Sequence, residues 1–232
     1  MLYWEFVKSR EGKPPAVMLY SEFLKNDHRE CGKWVHYFPI YERHFSRFKG
    51  QYFTLFEIGV REGGSLQLWQ RYFGPNVQIV GIDITEECRK LAEDHIHIRI
   101  GSQADTDFLA SLIAEFGVPD IVIDDGSHMQ SHIMATFNYL YPKMPKNGIY
   151  VAEDLQTAYD PEYEGGLRRP GTFIERTKDF IDELNAKMVL GAQFGTPEGN
   201  RTDSIHVYDG AVVFEVGEPR LRYTRWVGNK TI

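Results

Sequence analysis

Asp124-Asp125-Gly-Ser-His128 and, about thirty positions later, Glu153-Asp154 are the residues here whose types and spacing can do chemistry. Each acidic pair follows a short apolar run, Ile121-Val-Ile123 in one case and Ile149-Tyr-Val151 in the other. In a parallel α/β sheet, ligands bind beyond the carboxyl ends of the strands, so two neighbouring strands ending in carboxylates aim hard oxygen donors at one point. Asp125, Glu153 and Asp154 are therefore read as ligands for Mg²⁺ or Mn²⁺ rather than Zn²⁺. Adjacent strand residues face opposite ways, so one member of a doublet ligates and Asp124 competes with Asp125 for that place. A strand-end Asp can also simply cap the next helix. His128, three residues past Asp125, is the candidate general base, with His132 one helical turn further on. Met129 follows His128, so the His-Glu-x-x-His pattern of a zinc protease is absent.

These groups need a scaffold, and from residue 53 the pattern alternates strand, turn and helix. Strands are expected over Phe53 to Ile58, Gln78 to Ile82, Ile96 to Ile100, 120–124 and 147–152. Leu66, Trp69 and Tyr72 mark the first intervening helix. Asp105 to Phe116 reads as a capped amphipathic helix ended by Gly117, and a further helix spans roughly 129–141. Such alternation implies an α/β fold, a Rossmann-like, doubly wound and mostly parallel sheet of seven strands. Ser204 to Tyr208 and Ala211 to Val216 flank Asp209-Gly210, the signature of a type I′ hairpin, so the sheet closes on a C-terminal antiparallel hairpin. Residues 1–50 form a partly helical, aromatic-rich extension (Trp34, Tyr37, Phe38, Tyr41, Phe45, Phe48) ahead of a domain over 51–232. Within that domain, 156–200 carries glycines, arginines and an amphipathic helix, and is a candidate lid.

Glu57-Ile-Gly59-Val-Arg-Glu-Gly63-Gly64-Ser65 lies where the first strand turns into the first helix. Glycines there allow close approach of a ligand, and the helix N-terminus favours negative groups. The spacing is not that of the dinucleotide fingerprint. Asp83 ends the second strand, where an acid accepts ribose hydroxyls, and Ser102-Gln103 follows the third, placed for contacts to an adenine. Glu57, Gly59, Gly63, Ser65, Asp83, Ser102 and Gln103 together imply an adenosine without a pyrophosphate, which S-adenosylmethionine fits best.

Composition narrows the remaining classes. The 232 residues can bury a sizeable core, and 42% apolar with 25% charged residues is ordinary for a soluble domain. A net charge of −7 argues against a nucleic-acid surface. No apolar run is long enough to cross a membrane, and residues 1–10 lack a signal pattern. The two cysteines, Cys31 and Cys88, form no disulfide framework, and the expected location is the cytoplasm.

Phe56-Glu-Ile-Gly-Val-Arg-Glu-Gly-Gly-Ser-Leu66, Gly81-Ile-Asp-Ile84, Asp124-Asp-Gly-Ser-His128 and Tyr150-Val-Ala-Glu-Asp-Leu155 together resemble the metal-dependent sugar O-methyltransferases of macrolide, tetracenomycin-type and enediyne pathways. The resemblance covers about residues 33 to 216 and includes Lys33-Trp-x-His36-Tyr37. It implies Mg²⁺ on Asp125, Glu153 and Asp154, His128 as base, and methyl transfer from S-adenosylmethionine to a sugar hydroxyl of a small glycoside or an oligosaccharide. A short relative that acts on a methylmannose polysaccharide in mycobacteria is also similar. Family members commonly form homo-oligomers. The chain is too short for the large N-terminal auxiliary domain of the macrolide enzymes, and it reads Gly-Ser-Gln where relatives often have Gly-Asp-Gln. Tyr159 and Arg168, or its neighbour Arg169, offer an aromatic face and a donor fork suited to a sugar. The rival readings are a catechol-type O-methyltransferase, an oxygenase related to cephalosporin hydroxylases, and a protein that binds the cofactor without turnover.

Overall fold

The parallel strands of this chain are buried on both sides, which is why they read as near-continuous apolar runs. In the computed structural model, which describes residues 18–190 (backbone only at 187 and 188), 195, 196, 199, 201–218 and 223–229, seven strands form one sheet. They are β1 (Phe53–Ile58), β2 (Val77–Asp83), β3 (Ile96–Ile100), β4 (Ile121–Asp124), β5 (Ile149–Ala152), β6 (Thr202–Val207) and β7 (Val212–Val216). Their order is β3-β2-β1-β4-β5-β7-β6, with β7 antiparallel to both β5 and β6 and all other pairs parallel. The seven-stranded mixed sheet with its closing hairpin is the architecture expected from the sequence.

The period-two alternation of each strand divides the core between two faces. Leu55, Ile79, Ile123 and Val151 pack on one face with α1 (Met18–Leu24), α2 (Phe38–Phe45) and α3 (Gly64–Phe73). Phe56, Val80, Val122 and Tyr150 pack on the other with α4 (Thr106–Phe116), α5 (Gln130–Leu140) and α6 (Phe173–Leu190). Asp105 caps α4 by accepting from the backbone N–H groups of Asp107 and Phe108, as its sequence signature implies. Tyr37, Phe38, Tyr41 and Phe45 of the aromatic-rich segment are buried in the first core, whereas Trp34 stands out of it. In the segment read as a candidate lid, α6 packs into the second core through Phe173 and Phe180. Residues 1–17 and 191–194, 197, 198 and 200, on which parts of the extension, the signal-pattern reading and the lid rest, lie outside the described residues. Both cysteines are unbridged. Among the described residues, no helix is long and apolar enough to cross a membrane.

One turn differs from its sequence signature. Gly210 has φ +73°, but Asp209 does not share a positive φ, so the tip of the β6–β7 hairpin is not a type I′ turn. Tertiary contacts override the local preference: the Gly210 carbonyl accepts from the Tyr37 hydroxyl and the Leu155 N–H, and His36 Nε2 lies 3.1 Å from the Asp209 carbonyl.

The same hairpin is tied to α2 lower down. His44 Nδ1 lies 2.8 Å from Glu215 Oε1, and Arg47 Nη1 lies 3.2 Å from Glu215 Oε2. The hydrogen bond from His44, aided by Arg47 against partial burial, holds the Glu215 carboxyl down at about 2 from an ordinary 4.5. A depressed carboxyl stabilises the fold above its unfolded pKa and loses that contribution as pH falls through the folded value. Glu215→Gln should therefore lower stability by about 2 kcal/mol at neutral pH. In denaturant titrations that deficit should shrink below pH about 4.5 and vanish near pH 2. A deficit unchanged from pH 7 to pH 2 would refute the linkage.

Candidate functional site

The strand order reverses direction between β1 and β4, and the carboxyl ends of these two strands open the crevice where a doubly wound sheet binds its ligand. Two adjoining cavities fill it, of about 660 Å³ and about 190 Å³, with Gly59, Asp83 and Gly126 common to both walls. Gly59 has φ +92°, and a Cβ there would lie 2.0 Å from the Asp125 carbonyl oxygen, so the β1 turn and the Asp125 loop meet only because the side chain is missing. At Gly64 a Cβ would lie 2.2 Å from the Glu30 carbonyl oxygen. That glycine serves the passage of segment 29–30 over the helix start, a different reason from the ligand approach read in the sequence.

The smaller cavity is lined by Ile82, Ile84, Ser102, Gln103 and His132 among others. Asp83 sits at the junction. Its Oδ2 accepts from the N–H groups of Val60 (2.8 Å) and Arg61 (3.2 Å), and its Oδ1 from Thr85 N–H (2.8 Å). Burial pushes this carboxyl up, but the backbone donors outweigh it and hold the pKa below the usual value. Gln103 is committed internally. Its Nε2 donates to Asp124 (2.9 Å) and Thr136 (3.1 Å), and its Oε1 accepts from the Ser127 N–H. Its side chain thus braces the 124–128 turn. Of the remaining residues read as a cofactor site, Gly59 and Ser65 line the larger cavity, Ser102 the smaller, while Gly63 and Glu57 line neither. Glu57 is fully buried beneath, accepting from Ser65 Oγ (3.0 Å) and Trp69 Nε1 (3.1 Å) on one oxygen. Its other oxygen has no hydrogen-bond partner.

The larger cavity holds the acidic groups. Strand alternation separates the first doublet: Asp124 is buried, accepting from Tyr150 Oη (2.5 Å) and Gln103, and burial pushes it up to about 7. Asp125 faces the cavity. A lysine that sequence reasoning did not single out then organises the rest. Lys33 Nζ is buried 2.6 Å from Asp125 Oδ2, 3.0 Å from Glu153 Oε2 and 3.6 Å from Glu57 Oε1. Burial works against its charge, but Glu153, Tyr41, Asp125 and Glu57 more than compensate and raise its pKa. Glu153 also accepts from Tyr41 Oη at 2.6 Å; burial, opposed by Lys33 and reinforced by Asp125, pushes its carboxyl up to about 8. The only sequence signal for Lys33 is its place in the Lys-Trp-x-His-Tyr motif.

Asp125, His128 and Asp154 each offer one ligand atom, all within 4.8 Å of one another. His128 Nε2 lies 3.9 Å from Asp154 Oδ2, while Asp154 Oδ1 accepts from Trp34 Nε1 (2.9 Å) and Tyr37 Oη (3.2 Å). Arg61, His128 and Asp154 all line this cavity with positive φ (50°, 59° and 52°), strain that the surrounding packing must hold. Two hard carboxylates converging at one edge suit a divalent cation, with the imidazole beside them. Glu153 stands one layer deeper, on Lys33 and Tyr41, and is not part of the converging trio. His132 bonds Ser127 Oγ through Nδ1 (2.8 Å) and lines the smaller cavity, so it does not join His128. Tyr159, 49% exposed, and Arg168 line neither cavity.

No family model matches the chain. It is 38% identical, over 199 residues, to the 8-demethyl-8-(2-methoxy-alpha-L-rhamnosyl)-tetracenomycin-C 3'-O-methyltransferase of Streptomyces olivaceus, covering 80% of this chain and 50% of that one. It is 35% identical over 200 residues to the mycinamicin VI 2''-O-methyltransferase of Micromonospora griseorubida, covering 79% and 49%. The solved structure of the MycE methyltransferase in complex with Mg, SAH and mycinamycin VI superposes with a TM-score of 0.76 at 30% identity, covering 93% of this chain and 57% of that one. The chain belongs to the sugar O-methyltransferase family. It spans about half the length of the curated relatives it matches. As a member of that family it places Asp83, Asp125, His128, Glu153 and Asp154 around one crevice, and adds Lys33, Trp34, Tyr37 and Tyr41 from ahead of the sheet.

Lys33→Met would leave Glu57, Asp125 and Glu153 without their buried counter-charge, costing about 3–5 kcal/mol of stability. Adding Glu153→Gln should recover part of that loss, a coupling that urea unfolding of the four-member cycle would measure. Strict additivity of the two substitutions would show that the ammonium does not act through Glu153.

Proposed function

We propose that this chain transfers a methyl group from S-adenosylmethionine to a hydroxyl of a sugar on a glycoside or oligosaccharide, with Mg²⁺ at the acidic edge of the larger cavity. The observation that carries the proposal is the convergence of Asp125, His128 and Asp154 at the wall of a cavity that opens into the Asp83 crevice. S-adenosylmethionine would supply an electrophilic methyl carbon, and Mg²⁺ a Lewis acid and a template for neighbouring hydroxyls.

The chain's own residues do the rest. Asp83, fixed by three backbone N–H groups, keeps one acceptor site for a ribose hydroxyl. Ile82, Ile84 and Ser102 wall a slot of a size for the base. Asp125 and Asp154 would hold the cation, with Glu153 behind them fixing Lys33 and, through it, Asp125. His128 Nε2 points to the same edge and would accept the proton of the acceptor hydroxyl as the new C–O bond forms. An alkyl hydroxyl is a weak nucleophile at neutral pH, so a base held beside an oriented hydroxyl is where rate is gained.

His128→Ala should lower turnover about 10²–10⁴-fold. Binding of S-adenosylmethionine and of Mn²⁺ by the same variant should stay near wild type, which calorimetry and electron paramagnetic resonance would report. Turnover within a factor of two of wild type would remove His128 as the base. The reaction itself is tested by Mg²⁺-dependent methylation across rhamnosides, other glycosides and a catechol. Methylation of the catechol alone would replace the sugar reading with its aromatic rival.

A further inference from the structure

We propose that Trp34 is the floor of an acceptor subsite, its indole face receiving the C–H face of a pyranose such as a 6-deoxyhexose. The inference rests on the methyl-transfer reading and supplies what that reading lacks, a surface for the acceptor. Tyr159 and Arg168, the residues whose types suggested sugar contact, line neither cavity. Trp34 does line the larger one, and among the described residues it is the only tryptophan, tyrosine or phenylalanine that does. Around it the described wall is almost wholly charged, polar or glycine, with Val60 the one other sizeable apolar side chain among the described residues.

A pyranose is amphipathic: hydroxyls radiate at its edge while axial C–H groups make at least one apolar face. Carboxylates, a cation and an imidazole satisfy the edge. The face needs a flat apolar partner, and among the described residues lining the cavity only the Trp34 indole is one. The ring is also where the chemistry requires it. Its Nε1 donates to Asp154 Oδ1 at 2.9 Å, and the other oxygen of that carboxylate lies 3.9 Å from His128 Nε2. A sugar stacked on the indole thus has its edge beside Asp154 and His128.

Trp34 is 46% exposed yet held in place. Its carbonyl accepts from the Tyr37 N–H at 2.9 Å, closing the turn Val35–Tyr37, and its indole nitrogen is anchored on Asp154. Large exposed aromatic surface is costly to keep in water, and a side chain fixed before its ligand arrives loses little entropy on binding. The smaller cavity, at the far side of Asp83, is the one of a size for the base, which leaves the Trp34 side for the acceptor.

Calorimetry on the full chain, saturated with S-adenosylhomocysteine and Mg²⁺, with p-nitrophenyl α-L-rhamnoside as the probe, tests this without turnover. Trp34→Ala should weaken the rhamnoside about tenfold, the loss of one aromatic stacking contact. Trp34→Phe keeps a ring but removes the bond to Asp154, and should stay within about threefold of wild type. S-adenosylhomocysteine should bind all three proteins alike. Equal rhamnoside affinity in wild type and Trp34→Ala overturns the subsite. So does a Phe variant as weak as the Ala variant, which would assign the effect to the Asp154 bond. Wild-type protein that binds S-adenosylhomocysteine but not the rhamnoside overturns the subsite and leaves methyl transfer standing. Failure to bind S-adenosylhomocysteine overturns both.

Discussion

Lys33 carries its ammonium into a buried space on which Glu57, Asp125 and Glu153 all converge. Carboxylates gathered away from water repel one another strongly, and burial pushes the carboxyls of Glu57 and Glu153 up. One cation among them opposes both the repulsion and the shift without reversing the shift, because it attracts every member at once. Tyr41 completes the arrangement with a hydrogen bond to Glu153. The elements that deliver these groups are far apart along the chain, so the pocket forms only when the segment ahead of the sheet lies against the ends of β1, β4 and β5. Gly64, with no side chain to block the Glu30 carbonyl, is what lets that segment lie there.

Strand geometry then sorts the acids. On β4 the pleat turns Asp124 inward to Tyr150 and Gln103 and leaves Asp125 to the crevice. After β5 the same task needs more force. Glu153 faces Lys33, and the chain reaches the left-handed region at Asp154 to turn the next carboxylate to the cavity. His128 adopts a similar backbone. Non-glycine residues hold such conformations only where packing over-determines them. Here Thr157 binds the Asp154 carbonyl through its hydroxyl (2.7 Å), and Gln130 binds the His128 carbonyl (3.2 Å). Strain at these two positions is the means by which consecutive residues present functional atoms to one point.

What could be seen in the sequence follows the range of the interactions involved. Strand positions, the order of elements and the Asp105 cap depend on periodicity or on neighbours a few residues away. Those local rules were enough. Lys33 meets Asp125 and Glu153 across 92 and 120 positions, and Trp34 meets Asp154 across 120, so no local pattern exposes either contact. The Asp209-Gly210 turn departs from its local signature for the same reason, since Tyr37 and Leu155 bond the Gly210 carbonyl at a tip whose local preference is different. Gln103 has the residue type of a base-reading contact, but its amide is spent on Asp124, Thr136 and Ser127. Residue type alone does not reveal which polar groups are already satisfied.

The two carboxylates at the cavity edge are held by different physics, and the difference has a consequence for ligands. Asp125 is fixed by a charged partner, so part of its field is already cancelled by Lys33. Asp154 is fixed by Trp34 and Tyr37, neutral donors that set its orientation and leave its charge whole. Charge in the pocket is therefore graded. The depth, around Lys33, Glu57 and Glu153, contains its own cation, whereas the edge facing solvent retains uncompensated negative charge beside an imidazole. On the proposed function, a cation entering from water would meet that charge first at Asp154 and would be held at the edge, within reach of the His128 ring and the exposed indole. Had the lysine bonded Asp154 instead, the same four carboxylates would have drawn a cation inward, away from the His128 ring and the Trp34 indole.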